Sequence, residues 1–325
     1  MTAIRAGFWL YFPSASNLTQ GFITLGSAKS TRPRSKRAAV AKISGTGSFR
    51  PPVRRRFGQH FLEPAWITKT IQVIRPVPGD RFVEIGPGKG QLTFPIAKAG
   101  ARVVALEVDR DLATQLREAS RPRVQVITGD VLERDLAGVV ASVFGANIRA
   151  RLVGNLPYNL SSPILGSVLR AHRRTGCFLD ATLMLQLEVA ERLTSAPGDR
   201  TYGPLAIFTF IAAEAERALV LPPGAFRPVP EVRSALVRLR FRPSPIPVPN
   251  PELFERLVRS LFTQRRKMLL NALLPMTKAI GTDSPRVLLD RAGLSPERRP
   301  ATLDLKELLR LTEAVASAQV SNSDS

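Results

Sequence analysis

A glycine-rich segment at residues 83–90 is the first place where the sequence could hold a ligand. Gly86, Gly88 and Gly90 follow an apolar run that predicts a strand, and a helical pattern follows them. Glycine lets the backbone approach a ligand closely, and a helix N-terminus offers unpaired N–H groups. The segment is neither a dinucleotide fingerprint, which would replace Gln91 by glycine, nor a P-loop, which would place Ser or Thr after Lys89. Alone, these glycines could equally form a tight structural turn.

Two acidic residues follow the next two predicted strands. Glu107 ends a strand about 20 residues after the glycines, where a carboxylate can accept hydrogen bonds from both hydroxyls of a ribose. Asp130 follows the third strand, where it can accept a hydrogen bond from an adenine amino group. Each acid alone could be a solvated side chain at a strand end. Together with the glycines they predict a crevice for adenosine, and the pattern resembles the S-adenosylmethionine-dependent methyltransferases.

The segment Asn155-Leu156-Pro157-Tyr158 is the most specific motif, and it follows the fourth predicted strand. The Asn155 side-chain oxygen and a neighbouring backbone carbonyl can together accept both protons of an exocyclic amine. This arrangement turns the lone pair of the amine nitrogen toward an incoming methyl group. The ring of Tyr158 can stack on a base, and Pro157 restricts the backbone between them. A turn rich in Asn and Pro is the structural alternative.

With this motif, the sequence from Arg54 to Leu311 resembles the rRNA adenine N6-dimethyltransferases of the KsgA type, to which the Erm methyltransferases are related. Three further segments carry the resemblance: 56–62, 185–193 and 226–234. The resemblance implies S-adenosylmethionine as cofactor, contacted by His60, Leu62, Gly86, Glu107, Asp130 and Asn155. It implies catalytic roles for Asn155, Leu156, Pro157, Tyr158 and Phe226. Phe226 would lie against the flipped base, although an ordinary loop anchor is an equal interpretation.

The chain is strongly basic, with 47 Lys and Arg against 26 Asp and Glu. Residues 1–56 hold 11 of the basic residues and no acidic residue, which leaves 36 basic residues against all 26 acidic ones. The excess outside the N-terminal segment indicates a polyanionic partner, most often nucleic acid. Two basic runs resemble the family's RNA contacts: Arg265, Arg266 and Lys267, and then Arg298 and Arg299. A solvated face is the alternative for both runs.

Strand and helix patterns alternate through the first part of the chain, which predicts βαβ units and a parallel sheet. Predicted strands are 81–85, 102–108, 124–127, 151–154, 181–187, 218–221 and 235–241. Predicted helices are 65–74, 92–99, 111–119, 163–171, 188–193 and 205–215. The last two strands indicate an antiparallel hairpin at one sheet edge. The expected fold is an α/β, Rossmann-like methyltransferase domain with a smaller all-helical C-terminal domain.

Composition divides the chain into four parts. Residues 1–53 are expected to be a disordered basic extension or the product of a misassigned start, with a transit peptide as the alternative. Residues 54–243 are the predicted methyltransferase domain, and alternating prolines from Pro243 to Pro251 indicate a stiff linker. Residues 244–320 are predicted to form a helical rRNA-docking domain, with a helix capped by Asn250 and a capping box at Asp304 and Glu307. Residues 321–325 are a tail.

The resemblance implies N6-dimethylation of two adjacent adenines in a terminal hairpin loop of small-subunit rRNA, within the pre-30S particle. The alternatives are an Erm-like large-subunit methyltransferase and a non-catalytic rRNA-binding factor on the same fold. The single cysteine excludes an intrachain disulfide. With only two histidines besides, the chain has little material for a metal centre, and no metal is predicted. We expect a monomer without a membrane partner. The expected location is the cytoplasm, or an organellar matrix if a transit peptide is present.

Overall fold

The computed structural model describes residues 60–120, 122–281 and 284–323. The extension predicted for residues 1–53 lies outside the described residues, and so do residues 56–59 of the N-terminal motif. The described strands are β1 Phe61–Leu62, β2 Arg81–Ile85, β3 Arg102–Glu107, β4 Val124–Thr128, β5 Ala150–Asn155, β6 Phe178–Gln186, β7 Ala213–Leu221, β8 Phe226–Arg227 and β9 Ser234–Phe241.

Twelve α-helices accompany these strands in the described part of the chain. They are α1 Pro64–Ile74, α2 Thr93–Lys98, α3 Arg110–Glu118, α4 Leu136–Phe144, α5 Ser161–Thr175, α6 Leu187–Leu193, α7 Pro204–Ala212, α8 Pro251–Thr263, α9 Leu269–Ala272, α10 Leu274–Ile280, α11 Pro285–Ala292 and α12 Leu305–Ser323.

Seven strands form one sheet in the order β4-β3-β2-β5-β6-β9-β7. The first five strands in that order are parallel, and β9 pairs antiparallel with both β6 and β7. This confirms the predicted parallel sheet and its antiparallel edge. In the register of the central strands, Ile85 pairs with Leu106 on one side and Gly154 on the other. The residues that follow β2, β3 and β5 therefore meet at one edge of the sheet.

Side chains alternate between the two faces of the sheet, and each face has its own hydrophobic cluster. Val83 and Ile85 belong to the larger cluster, which also includes buried residues of α5 and α8. Phe82 belongs to the other cluster, which includes Ile74 at the end of α1. Strands buried on both faces explain why these segments are near-continuous apolar runs in the sequence.

The boundary between α7 and β7 differs from its prediction. The sequence pattern predicts a helix over 205–215, but α7 ends at Ala212, and Ala213 already pairs with Phe241 of β9. Residues 213–215 are acceptable in either conformation, so pairing along β9 decides their structure. The strand therefore begins five residues before the predicted start at Ala218.

Three elements, one helix and two short strands, had no sequence prediction. Helix α4 lies between β4 and β5, with Leu136 and Val140 buried. Strands β1 and β8 form a separate two-stranded antiparallel sheet, in which Leu62 pairs with Phe226. Segments of two residues show no periodicity, so long-range pairing alone defines this small sheet.

The C-terminal helices have the predicted caps. The Asn250 side chain accepts a hydrogen bond from the Leu253 backbone N–H at 3.1 Å, at the start of α8. Before α12, Glu307 N–H donates to the Asp304 side chain at 2.8 Å, and Asp304 N–H donates to the Glu307 side chain at 3.0 Å. Five apolar residues with helical spacing on α8, namely Leu253, Phe254, Leu257, Val258 and Leu261, are all buried.

Candidate functional site

A pocket of about 550 Å³ opens at the carboxyl ends of β2, β3, β4 and β5. Open α/β sheets bind their ligands at this edge. The lining residues include most of the predicted cofactor and catalytic residues: His60, Leu62, Gly86, Glu107, Asp130, Asn155, Leu156, Pro157 and Tyr158. Residues that are distant in the sequence therefore meet in one cavity.

The glycine-rich turn forms one wall of the pocket because side chains would not fit there. Gly88 and Gly90 have φ angles of 55° and 78°, a region that side chains disfavour. A Cβ atom on Gly90 would lie 2.3 Å from the Phe94 ring, and one on Gly88 would lie 3.1 Å from the Phe61 ring. The turn thus keeps backbone atoms at the pocket surface and packs closely on α2.

Glu107 lies at the end of β3 with its carboxylate held by two backbone N–H groups. The Gly88 N–H donates to Oε2 at 2.9 Å, and the Asp109 N–H donates to Oε1 at 3.0 Å. Burial raises the pKa of this carboxyl group, and these backbone bonds partly offset that rise. A carboxylate oxygen accepts more than one hydrogen bond, so both oxygens can still serve a ligand in the pocket.

Asp130 lines the same pocket and begins a short 3-10 helix, Val131–Glu133. Its Oδ1 atom accepts a hydrogen bond from the Leu132 N–H at 2.9 Å. This bond orients the carboxylate at the end of β4, where the sequence predicts an acceptor for an adenine amine.

Asn155 connects the motif that follows β5 with the N-terminal segment of the site, which is residues 60–63. Its side-chain nitrogen donates a hydrogen bond to the His60 carbonyl at 2.7 Å. Because this bond uses the amide nitrogen, the side-chain oxygen stays available as an acceptor. The Pro157 carbonyl accepts from Leu160 N–H at 3.0 Å and from the Ser161 hydroxyl at 2.9 Å, which holds the turn at the start of α5.

Tyr158 stands beside His60 at the mouth of the pocket. The two rings are stacked, with centroids 5.2 Å apart and planes at 22°. The Tyr158 hydroxyl bonds to the Ser234 hydroxyl at 2.7 Å, and His60 Nδ1 bonds to the Pro228 carbonyl, also at 2.7 Å. A flat aromatic surface is therefore already fixed at this place, with partners at Pro228 and at the start of β9.

Phe226 is the one predicted catalytic residue that does not line the pocket. Its side chain is fully buried in the hydrophobic cluster that contains Leu62 and Ile74. It lies on β8, directly opposite Leu62 of β1. In this position the ring supports the backbone of the N-terminal segment from within the core.

Two pocket residues that the sequence motifs did not single out take part in the site. The Gln91 side chain bonds the Leu62 backbone twice, donating to its carbonyl at 2.7 Å and accepting from its N–H at 2.9 Å. Glu84 is buried and accepts a hydrogen bond from the Thr93 hydroxyl at 2.6 Å. Burial, with a further contribution from the negative charge of Glu107, raises the pKa of Glu84 to about 7. Glu84 lies within the glycine-rich motif and Gln91 directly follows it. This position beside the glycines is the only feature of the local sequence that indicates their roles.

The five predicted RNA contacts form one group apart from the pocket. The Leu269 N–H donates to the Arg298 carbonyl at 2.7 Å, which brings the two basic runs together. Arg266, Lys267 and Arg299 are exposed. Arg298 forms an ion pair with Glu307, and its Nη2 also donates to the Thr302 carbonyl at 2.8 Å. The Arg298 side chain is therefore engaged in the cap of α12.

Comparison with known proteins identifies relatives along most of the chain. The model of a family described as ribosomal RNA adenine dimethylase matches residues 52–308. The chain is 39% identical over 268 residues to the ribosomal RNA small subunit methyltransferase A of Xanthomonas campestris pv. campestris, covering 81% of this chain and 97% of that protein. It is 38% identical over 270 residues to the protein of the same name from Thermosynechococcus vestitus, covering 82% and 98%.

Solved structures share the fold. A dimethyladenosine transferase from Plasmodium falciparum superposes with a TM-score of 0.62 at 24% identity, covering 78% of this chain and 96% of that one. The 23S rRNA methyltransferase ErmE superposes with a TM-score of 0.55 at 27% identity, covering 79% and 99%. These likenesses confirm the predicted Rossmann-like methyltransferase fold. With the family model and the relatives together, they show that the chain belongs to the ribosomal RNA adenine dimethylase family.

Proposed function

We propose that this chain transfers methyl groups from S-adenosylmethionine to the N6 nitrogens of adenines in small-subunit rRNA. The observation that carries the proposal is the position of Asn155 and Tyr158 in the same pocket as Glu107 and Asp130. One half of this cavity suits an adenosyl cofactor, and the other half suits a flat base with an exocyclic amine. Membership of the rRNA adenine dimethylase family supports the same reaction.

The donor and acceptor groups present fit the proposed cofactor. When bound, S-adenosylmethionine supplies a methyl group on a sulfonium, which is already a good leaving group. Glu107 accepts hydrogen bonds from the ribose hydroxyls, and Asp130 accepts one from the adenine amine. Leu62 and the Gly86 turn shape the wall, with His60 at the outer edge. Leu106 and Val131, both buried, add apolar surface to the same pocket.

The Asn155 segment orients the target amine. The Asn155 side-chain oxygen accepts one N–H of the adenine, because the Asn155 nitrogen is already bonded to the His60 carbonyl. The Leu156 carbonyl accepts the other N–H, since the Pro157 carbonyl is occupied by Leu160 and Ser161. Fixing both protons turns the nitrogen lone pair toward the methyl group. The enzyme then acts through orientation and charge complementarity, and the amine proton leaves to water.

The target base rests against Tyr158 after leaving its stack in the RNA. Unstacking costs a few kcal/mol, and stacking on an aromatic side chain returns roughly 1–3 kcal/mol. Phe226 contributes by holding β1 through its buried ring, and its role is thus one of support. The His60 ring already stacks on Tyr158, where the target base would stack. The arriving base must therefore displace the His60 ring or stack on it.

We further propose the finer features of the reaction from the family resemblance. The products are dimethyladenosines at two adjacent positions of a terminal hairpin loop, and the substrate is the pre-30S particle. Residues 54–243 act as the methyltransferase domain and residues 244–320 as the rRNA-docking domain, where Arg265, Arg266, Lys267 and Arg299 contact phosphates. The protein acts as a monomer.

The reaction takes place in the cytoplasm, with an organellar matrix as the alternative if residues 1–53 are a transit peptide. Within the part of the chain that the structure describes, no helix combines the length and apolar composition needed to cross a membrane.

Methyl transfer to ribosomal subunits tests this proposal. Undermodified small subunits and separate large subunits are incubated with the protein and methyl-labelled S-adenosylmethionine, and modified adenines are mapped by mass spectrometry. We expect N6-dimethylation of two neighbouring adenines in the small-subunit rRNA only. Modification of large-subunit rRNA would instead support the Erm-like alternative. Binding without methyl transfer would support a non-catalytic assembly factor.

A further inference from the structure

A second cavity among the described residues lies at the opposite end of the sheet from the proposed active site. It has a volume of about 970 Å³ and is lined by Arg149 and Cys177, which directly precede β5 and β6. Arg149 and Asn155 lie at opposite ends of β5. They are six residue steps apart along the extended strand, which corresponds to about 20 Å. Nothing in the proposed methyl transfer uses this cavity.

The Arg149 guanidinium at this cavity is fixed but not neutralised. Its Nε donates to the Gly176 carbonyl at 3.1 Å, and its Nη2 donates to the Phe178 carbonyl at 2.9 Å. Within the described residues, no carboxylate lies within 4.0 Å of this side chain. An arginine held in this way has its remaining Nη1 group and its full positive charge available for an anion.

A cluster of arginines continues from the cavity along α5 and α8. Arg170, Arg173 and Arg259 surround Glu255 at 3.7, 3.9 and 2.8 Å. One carboxylate cannot neutralise three guanidinium groups. Burial lowers the pKa of Arg170, and the negative charge of Glu255 partly offsets this. The positive charges of Arg259 and Arg173 lower the pKa further. Arg170 and Arg173 are one helical turn apart, and Arg173 also lines the cavity.

Other charged groups at this end of the sheet do not outweigh the excess of positive charge. Asp135 lines the cavity, and Arg242 on the linker side pairs with Glu214 at 3.5 Å. His172 also lines the cavity; its buried ring stacks on Phe241 with centroids 4.4 Å apart, and its Nδ1 has no hydrogen-bond partner among the described residues. Burial, and then the charge of Arg149, lower the pKa of His172 to about 4, so the ring is neutral at pH 7.

We define the Arg149 surface as Arg149, Arg170, Arg173, Arg242 and Arg259, and we propose that it binds the phosphate backbone of the rRNA substrate at a second place. The inference rests on the proposed function, since it takes small-subunit rRNA as the substrate. The positive groups are spread over the start of β5, two helices and the end of β9, which suits an extended polyanion better than a single phosphate ion. Guanidinium groups bind phosphates strongly and carry no sequence preference. The surface would therefore position the particle while the pocket selects the adenine.

The double variant Arg149→Gln/Arg173→Gln tests the inference through its affinity for undermodified small subunits at several salt concentrations. We expect binding about tenfold weaker near physiological salt. We also expect the slope of log affinity against log salt to decrease by roughly 0.7–0.9 for each phosphate that the variant no longer binds. Affinity for S-adenosylmethionine should stay unchanged, and the melting temperature should fall by only a few degrees, because Arg149→Gln loses two bonds to backbone carbonyls.

The matched control is Arg102→Gln/Arg123→Gln. These two exposed arginines also lie at the strand N-terminal end of the sheet and also donate to backbone carbonyls, those of Val143 and Gly100. The control removes the same net charge, so a nonspecific charge effect would weaken both variants equally. We expect the control to bind as the wild type does.

A second variant, Arg170→Gln/Arg173→Gln, guards against misfolding because it leaves the Arg149 carbonyl bonds and the pair of Arg259 with Glu255 in place. It should also weaken binding. If both double variants bind small subunits with wild-type affinity and salt slope, the Arg149 surface is not an RNA-binding surface. In that case, methyl transfer by the wild type would still support the proposed function. If the wild type transferred no methyl group, the proposed function would be refuted independently of the Arg149 surface.

Discussion

At the scale of single residues, the hydrogen bond from Asn155 to the His60 carbonyl links two halves of the site. The bond fixes which end of the Asn155 amide can meet the substrate. It also attaches the N-terminal segment, which carries Leu62, to the end of β5. The sequence motif predicts that Asn155 acts on an amine, but it gives no sign of this second partner, because the two residues are 95 positions apart.

Tyr158 provides the first residue-scale prediction. Tyr158→Phe keeps the stacking ring and loses only the bond to the Ser234 hydroxyl, a loss on the order of 1 kcal/mol. Tyr158→Ala removes the stacking surface as well. We therefore expect a mild effect of Tyr158→Phe on single-turnover methylation and a severe effect of Tyr158→Ala. Ser234→Ala is the matched control and should behave as Tyr158→Phe does. If Tyr158→Phe and Tyr158→Ala slowed single-turnover methylation equally, the hydroxyl group and not the ring would be the part of Tyr158 that the reaction needs.

Glu84 provides a second prediction, on stability. The folded protein holds a proton on this carboxyl up to about pH 7, whereas the ordinary value is 4.5. Between these pH values the folded state binds the proton that the unfolded state has released. The free energy of unfolding therefore falls as pH rises through this window, by about 3 kcal/mol in total for this group. Burial raises the pKa of Glu107 too, so that residue adds to the fall.

Glu84→Gln removes the titration and can still accept the Thr93 hydrogen bond. Urea unfolding measured from pH 4.5 to just above about pH 7 should show a much flatter pH dependence than in the wild type. Stability at the upper end of this range should be greater than in the wild type. Glu188→Gln, at an exposed position on α6, should leave the profile unchanged. A wild-type profile in Glu84→Gln would show that Glu84 is ionised in the folded protein.

At the scale of elements, the small sheet of β1 and β8 joins the side of the pocket proposed for the cofactor to the loop that precedes β9. Besides the strand pairing, Glu63 N–H donates to the Ala225 carbonyl at 2.9 Å, and Arg227 pairs with Glu63 at 3.2 Å. The side chain of Gln91 attaches the same segment to the glycine-rich turn. Separate parts of the chain thus hold residues 60–63 beside the pocket.

Gln91→Ala should loosen this segment without disturbing the sheet. It removes two hydrogen bonds to the Leu62 backbone, each worth about 1 kcal/mol. We expect roughly tenfold weaker binding of S-adenosylmethionine by calorimetry. The melting temperature should fall by only several degrees, because the two lost bonds are the whole change in stability. Gln115→Ala, at an exposed site on α3, is the matched control. Unchanged cofactor affinity in Gln91→Ala would mean that the Leu62 segment does not close on the cofactor.

The elements also show which features the sequence could predict. The central strands, most helices and the caps at Asn250 and Asp304 follow from local periodicity and local hydrogen bonds, and they lie where expected to within a few residues. The start of β7 and the pairing of β1 with β8 depend on strands that are distant in sequence. The burial of Phe226 has the same origin. A local pattern contains no record of those partners, so it cannot predict these features.

At the scale of the whole molecule, positive charge is distributed over more than one surface. The predicted docking group Arg265, Arg266 and Lys267 lies on the helical part, where Arg265 is half-buried and donates to the Asp199 carbonyl at 3.4 Å. The proposed Arg149 surface lies at the N-terminal end of the parallel strands. Binding at several places would fix the orientation of a large RNA particle better than binding at one place could.

Replacing Arg265, Arg266 and Lys267 by Gln should weaken binding to undermodified small subunits and reduce its salt dependence. Each phosphate that is no longer bound lowers the slope by roughly 0.7–0.9, so the triple variant should lower it by about 2. Filter binding at a series of salt concentrations measures this slope. The same triple variant should bind S-adenosylmethionine normally. A wild-type slope would mean that the run is a solvated face.

The proposed reaction depends most directly on Asn155, which we propose orients the amine for methyl transfer and contributes little to RNA docking. The most direct test is single-turnover methylation of undermodified small subunits by Asn155→Ala, with RNA affinity measured on the same preparation. Misplacing the amine by about 1 Å can cost on the order of a hundredfold in rate. We predict a decrease of that size in the methylation rate, with RNA affinity close to that of the wild type. A near-normal single-turnover rate, or a decrease explained entirely by weaker RNA binding, would contradict this role of Asn155.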